Sequence, residues 1–237
     1  MPYRVLTEFE NLFVGEVFRH RSNNQGDFVA MHLYEDLVTL NKSALLVQRV
    51  QSREWVVNTE NKRVGIKARR GDGAFGEVVP GEVPITDPGY LVSRGKVANI
   101  EIGVEVKILA KAMVKQIGRV CSDLRHQVTE FQRGRNNPIC VGIVGINEAD
   151  YYVSYEGDRT YPTDGTSSAP HPRQEADEAE RRLLAEAAPA YDAFLILRFA
   201  ATNADPFPFR WANQARIEQV YGAELVRLSR LYDQRFR

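Results

Sequence analysis

With 237 residues, the chain is long enough for one large domain, and its 31 basic and 31 acidic side chains cancel. That balance removes any global electrostatic case for nucleic acid or membrane, so contacts of either kind must come from local patches. Two cysteines, Cys121 and Cys140, cannot build a disulfide framework and read as small core hydrophobes, and four scattered histidines offer no zinc-ligand spacing. The N-terminal stretch carries acids where a signal peptide needs bases, and no apolar run approaches ~18 residues; a cytoplasmic setting is the simplest expectation.

Residues 4–19 are mixed, anchored by Phe9, Leu12, Phe13 and Phe18. Asn23 to Gly26 is a turn signal, after which Asp27 caps a helix to about Leu40 with Phe28, Met31, Tyr34 and Leu37 on one face. Ala44–Val50 and Trp55–Val57 read as strands. A basic stretch from Lys62 to Arg70 runs into Gly71-Asp72-Gly73-Ala74-Phe75-Gly76-Glu77. Arg69 to Glu77 reads as a loop whose backbone amides and arginines, Arg69 and Arg70, can approach a phosphate, or equally as a flexible hairpin or turn without that role. It lacks the Gly-Lys-Ser/Thr ending of a nucleotide-binding loop, so nucleotide hydrolysis is rejected. Pro80, Pro84 and Pro88 punctuate a loop before a short strand, Tyr90–Ser93.

The stretch from Val97 to Leu109 alternates. Ile100, Ile102, Val104, Val106 and Ile108 share one parity, and Glu101, Gly103, Glu105 and Lys107 the other, as in a strand with one apolar face. Residues two apart on a strand lie roughly 6.6 Å from each other with parallel side chains. Glu105 and Lys107 therefore share a location. A carboxylate that holds a divalent metal beside a cation that steadies a water or an oxyanion suits phosphodiester hydrolysis. Asp87, just before the short strand at Tyr90, is the second carboxylate, able to meet Glu105 if the two strands pair. Glu77, Glu101 and, on the first long helix, Glu35 are spare acids.

Met113, Ile117, Val120, Leu124, Val128 and Phe131 then make an amphipathic helical stripe that ends near Gly134. Ile139–Ile146 is an apolar run, expected to be a strand buried on both faces. Residues 156–178 read as an exposed polar loop, followed by a helix from Arg173 to Ala188, a strand from Phe194 to Ala200, a stiff Pro-rich linker and a last helix from Asn213 to Phe236. The sum is α/β, a mixed sheet between helices.

Asp87, then Glu105-Val106-Lys107 in an apolar strand, then a long amphipathic helix resemble the PD-(D/E)xK nuclease superfamily, with its restriction-endonuclease-like fold. The resemblance covers roughly residues 25–147, expected to form the αβββαβ core, with 148–237 as a C-terminal extension of a single domain. It implies a deoxyribonuclease dependent on Mg²⁺ (or Mn²⁺). Asp87 matches the first acidic position, Glu105 the second and Lys107 the lysine, and the Val106 carbonyl matches a main-chain metal ligand. Two positions depart from the pattern: Thr86 rather than Pro precedes Asp87, and Gln116 lacks the Tyr of a Gln-x-x-x-Tyr motif because Val120 stands there.

The bare Glu-x-Lys pattern recurs at Glu60-Asn61-Lys62, in a polar stretch without strand periodicity, so context carries the weight. Lys111, Lys115 and Arg119 step by four and read as a phosphate-tracking stripe, and Arg94 and Lys96 precede the acidic strand; each is also what an ordinary solvated face carries. His171, Ser167 and Ser168 show no catalytic context. The expectation is an endonuclease acting on DNA, in restriction or phage defence by analogy, working as a homodimer and with a partner protein as a further option. A non-catalytic nucleic-acid-binding or scaffold subunit of the same fold, and a carboxylate-based glycosidase, remain rivals.

Overall fold

The computed structural model describes residues 3–20, 25–58, 71–134, 136–156 and 159–237. The basic stretch with Arg69, Arg70 and the Glu60-Asn61-Lys62 pattern lies outside them. Helices α1 (Arg4–Asn11), α2 (Gln25–Leu40) and α3 (Ala44–Ser52) precede strands β1 (Trp55–Asn58), β2 (Gly73–Val78) and β3 (Val97–Leu109). Helix α4 (Met113–Phe131), strand β4 (Ile139–Asn147) and the hairpin β5 (Tyr152–Glu156) and β6 (Arg159–Thr163) follow. Helix α5 (Pro172–Glu186), strands β7 (Ala193–Ala201) and β8 (Phe209–Trp211) and helix α6 (Gln214–Arg235) complete the chain.

A six-stranded sheet runs in the order β1-β2-β3-β4-β7-β8. Strands β3, β4 and β7 are mutually parallel, and the outer pairings are antiparallel. The fold is therefore mixed α/β, a mixed sheet flanked by helices. Helices α1, α2, α3 and α6 bury one face of it, around Ile102, Val104, Val106, Ile143 and Leu197. Helices α4 and α5 bury the other, around Leu109, Ile117, Val144 and Ile146. Every residue of β4 is buried, as the unbroken apolar run requires. Residues after 147 are integral to the sheet: β7 continues the parallel ladder from Val141↔Ala193 to Asn147↔Phe199, and Tyr221, Leu225 and Tyr232 of α6 sit in the main core.

Four local expectations are corrected. Ala44–Val50 is helical, because the Ser43 hydroxyl accepts the Leu46 N–H (3.0 Å) as an N-cap and Leu46 and Val50, one turn apart, reach the core together. The Gly-rich stretch at 73–78 is strand β2 rather than a turn. Tyr90–Ser93 forms no strand. The segment crosses to the far edge of the sheet, where the Val57 N–H donates to the Ser93 carbonyl (2.9 Å) and Arg94 bridges Val57. Part of the polar stretch at 156–178 forms a hairpin, where Pro162 is tolerated on an edge strand.

The alternation of β3 breaks at a bulge. Phe75 pairs with Ile102 and Gly76 with Ile100, so Glu101 is the extra residue. Ile100 consequently packs with Val128 and Phe131 of α4, while Ile102, Val104 and Val106 face the opposite layer. Glu101 turns away from Glu105's face. Its carboxylate accepts from Arg49 Nη1 (2.9 Å), Trp55 Nε1 (3.0 Å) and the Tyr232 hydroxyl. Glu35 is likewise structural: it is fully buried and accepts the Leu91 (2.9 Å) and Val92 (2.7 Å) N–H groups and Arg4 Nη1 (3.1 Å).

Removing the Glu101 carboxylate leaves one buried donor, Tyr232, and two part-buried donors, Arg49 and Trp55, without this acceptor. Glu101→Ala is expected to lower the unfolding free energy by roughly 3 kcal/mol in a urea titration. A change under about 0.5 kcal/mol, the size of an ordinary surface substitution, would contradict the assignment.

Candidate functional site

A cleft of about 600 Å³ opens where β3 ends, between the first turn of α2, the start of α4 and the β5–β6 hairpin. Its lining includes Gln25, Gly26, Asp72, Val106, Lys107, Lys111, Gln116, Arg119 and Glu156. On β3, Glu105 and Lys107 lie on the same side of the sheet, past the bulge, and their side chains form an ion pair. Glu105 is 7 % exposed.

Asp72 joins them from the position just before β2. Because β2 runs antiparallel to β3, with Gly73 opposite Val104, the residue before Gly73 falls at the level of Glu105, next to the Val106 amide. The Asp72 N–H donates to the Val104 carbonyl (3.1 Å), and the Val106 N–H donates to Asp72 Oδ2 (2.7 Å). A carboxylate held by a backbone amide cannot swing away without losing a charge-assisted bond. Burial pulls the Lys107 ammonium's pKa down, but the Glu105 and Asp72 carboxylates push it up and prevail, so it titrates above the ordinary lysine range. The Tyr191 phenol beside them is held neutral: burial raises it, with Glu105 and Asp72 adding to the effect, and its hydroxyl donates to the Leu124 carbonyl (2.8 Å).

Gly26, at the start of α2, packs directly on Asp72: a Cβ there would lie 2.4 Å from the Asp72 Cγ. The absence of a side chain lets the positive end of α2 approach the carboxylate.

Asp87 is not brought to this place. It lies beyond the edge strand: Arg94 bridges Val57 of β1 and Ile85 bridges Arg94, so Asp87's segment is the fourth ladder position from β3. Its partner is Arg94, whose Nε and Nη2 (2.8 Å) both donate to it and hold its carboxyl below the usual range. Arg94 is thereby committed as well, and Lys96 pairs with Glu82 (2.8 Å). Glu77 is exposed on the outer part of the sheet and accepts from Asn99 Nδ2 (3.3 Å). The basic stripe is divided. Lys111 precedes α4 and lines the cleft with Arg119, whereas Lys115 is exposed on the helix and absent from the lining. Gln116 is in the cleft, and its Nε2 donates to the Ala112 carbonyl (3.2 Å). His171 is the N-cap of α5, and both cysteines are buried, the Cys140 thiol pushed up to about 12 by burial.

Asp72 was concealed because Gly73, Gly76 and Glu77 interrupt any strand pattern. The usable signal is an acid directly before a strand that pairs antiparallel with the Glu-x-Lys strand. Among the described residues no three His, Cys, Asp or Glu side chains form a ready metal cage. The donor set is nonetheless of the right kind for a hard cation, which commonly takes one or two carboxylates and completes its shell with water and substrate oxygens. No family model, curated protein or solved structure matches the chain.

The contact between Gly26 and Asp72 predicts a contrast between two helical glycines. Gly118→Ala in α4, where an added Cβ meets nothing nearer than Arg182 Nη2 at 3.6 Å, should stabilise by about 0.5–1 kcal/mol. Gly26→Ala should forfeit that gain and lower the melting temperature, read by calorimetry on the two variants side by side. Equal stabilisation by both would refute the packing of Asp72 on α2.

Proposed function

We propose that the protein is a divalent-metal-dependent nuclease with a restriction-endonuclease-like fold, and that Asp72, Glu105 and Lys107 are its catalytic residues. The observation that carries this is that Asp72, just before β2, and Lys107 of β3 line one cleft, with the buried Glu105 carboxylate ion-paired to Lys107. The succession α2, three antiparallel strands, α4 and a strand parallel to β3 supports the fold reading, with α3 inserted after the first helix.

Asp72, Glu105 and the Val106 carbonyl would hold Mg²⁺ or Mn²⁺. When bound, the ion supplies positive charge for the phosphate oxygens and acidifies a coordinated water. Lys107, kept charged by its two carboxylates, would orient Glu105 and stabilise negative charge as it develops on the phosphate. Lys111 and Arg119 would take the flanking phosphates, which positions the strand without reading its sequence. DNA is the proposed substrate, presented to each site as one strand, and severing both strands calls for two such sites, hence a homodimer.

The Glu105–Lys107 ion pair satisfies both groups without an ion, and this favours one second reading, a non-catalytic nucleic-acid-binding subunit. Metal-dependent cleavage separates the two. Supercoiled plasmid and linear DNA are incubated with Mg²⁺, Mn²⁺ or EDTA. The expected result is cutting with either metal and none with EDTA. Asp72→Asn, Glu105→Gln and Lys107→Ala should each lose about 10²-fold or more in rate, while Asp87→Asn retains it. Full activity in Asp72→Asn would overturn the assignment, and an inactive wild type would hand the case to the binding subunit.

The pH profile carries a further expectation. In the metal-free protein Lys107's pKa is raised by the Glu105 and Asp72 carboxylates, so its ammonium persists through neutral and mildly alkaline pH, and DNA binding in EDTA should show no fall from this group below about pH 10. A downturn near neutrality that disappears in Lys107→Arg would contradict that.

A further inference from the structure

The β5–β6 hairpin stands outside the main sheet and walls one side of the cleft. Its register sets Tyr152 opposite Thr163, Ser154 opposite Tyr161 and Glu156 opposite Arg159. Residues directly opposed on an antiparallel pair share a face. On this face Tyr152 and Ser154 are buried and Glu156 lines the cleft, so the face turns inward. Tyr161, on the same face, stays 42 % exposed. Its ring centroid lies 5.8 Å from the Lys111 ammonium, and Lys111 lines the cleft. A partly exposed ring thus stands beside a cation that lines the cleft. The other side of the hairpin repeats the arrangement, with the Arg19 guanidinium 5.2 Å from the Tyr155 ring.

We propose that Tyr161 is a stacking post for an unpaired nucleobase while Lys111 takes the adjoining phosphate, so that the substrate is a single strand or an unpaired end rather than continuous duplex. The inference rests on the nuclease reading and narrows its substrate. The bases of a continuous duplex are already stacked on their neighbours and offer no free face, whereas every unpaired base offers one. The ammonium serves both contacts, since the ring attracts it electrostatically while its N–H groups remain able to donate to a phosphate. Glu156 is the opposing charge at the rim; His20 Nε2 lies 3.6 Å from it.

The test is fluorescence anisotropy with labelled oligothymidylate and with its duplex with oligoadenylate. It is run in EDTA, and in Mg²⁺ in a cleavage-silent Glu105→Gln background. The single strand should bind more tightly than the duplex. Tyr161→Ala should weaken single-strand binding by about tenfold and leave duplex binding unchanged, while Tyr161→Phe retains it, because stacking needs the ring and not the hydroxyl. Lys111→Ala should reduce the salt dependence by about one phosphate contact. Single-strand affinity unchanged in Tyr161→Ala, or duplex bound more tightly than single strand, overturns the inference. If Asp72-dependent cleavage persists alongside that result, the nuclease reading stands. Failure of the wild type to bind either probe overturns both.

Discussion

The hydrogen bond from the Val106 amide to the Asp72 carboxylate ties the start of β2 to the strand that carries Glu105 and Lys107, and the cleft's chemistry depends on it. A short carboxylate cannot reach a neighbouring strand's functional face from a loop of arbitrary geometry. It does so here because antiparallel pairing sets Gly73 opposite Val104 and leaves Asp72 one residue further along, with the unsubstituted start of α2 packed behind it. Lys107 is charged because two carboxylates outweigh its burial, so the cation and the acids maintain one another.

The other acids that the sequence offers are occupied elsewhere, each by donors that explain its burial or its pairing. Glu101 gathers Arg49, Trp55 and Tyr232 where α3 and α6 meet the sheet. Glu35 holds the 79–96 loop through two backbone amides. Asp87 and Arg94 secure the same loop at the sheet's edge. A buried carboxylate needs such partners, because an unpaired one would be driven to protonate. Asp72 and Glu105 instead gather about Lys107 at the end of β3.

Strong periodicity was legible. The bounds expected for β3 and α4, and the all-buried character of β4, agree with the structure because long apolar patterns leave few alternatives. What failed was local. Leu45, Leu46 and Val47 read as strand, yet Ser43 capping and burial of one helical face decide for α3. The bulge at Glu101 leaves no trace in the alternation, because residues on both sides of it are apolar on the same parity. Glu105 and Lys107 were found because alternation sets their direction. Asp72 was missed because its position depends on the pairing of β2 with β3, a long-range register that no short motif encodes.

The central claim, that Asp72 and Glu105 rather than Asp87 hold the metal, is most directly tested by titrating Mn²⁺ into the protein and following the free ion by electron paramagnetic resonance. The account predicts that the wild type and Asp87→Ala deplete the free signal alike, and that Asp72→Ala and Glu105→Ala do not. Depletion that survives in Asp72→Ala but is lost in Asp87→Ala would contradict it.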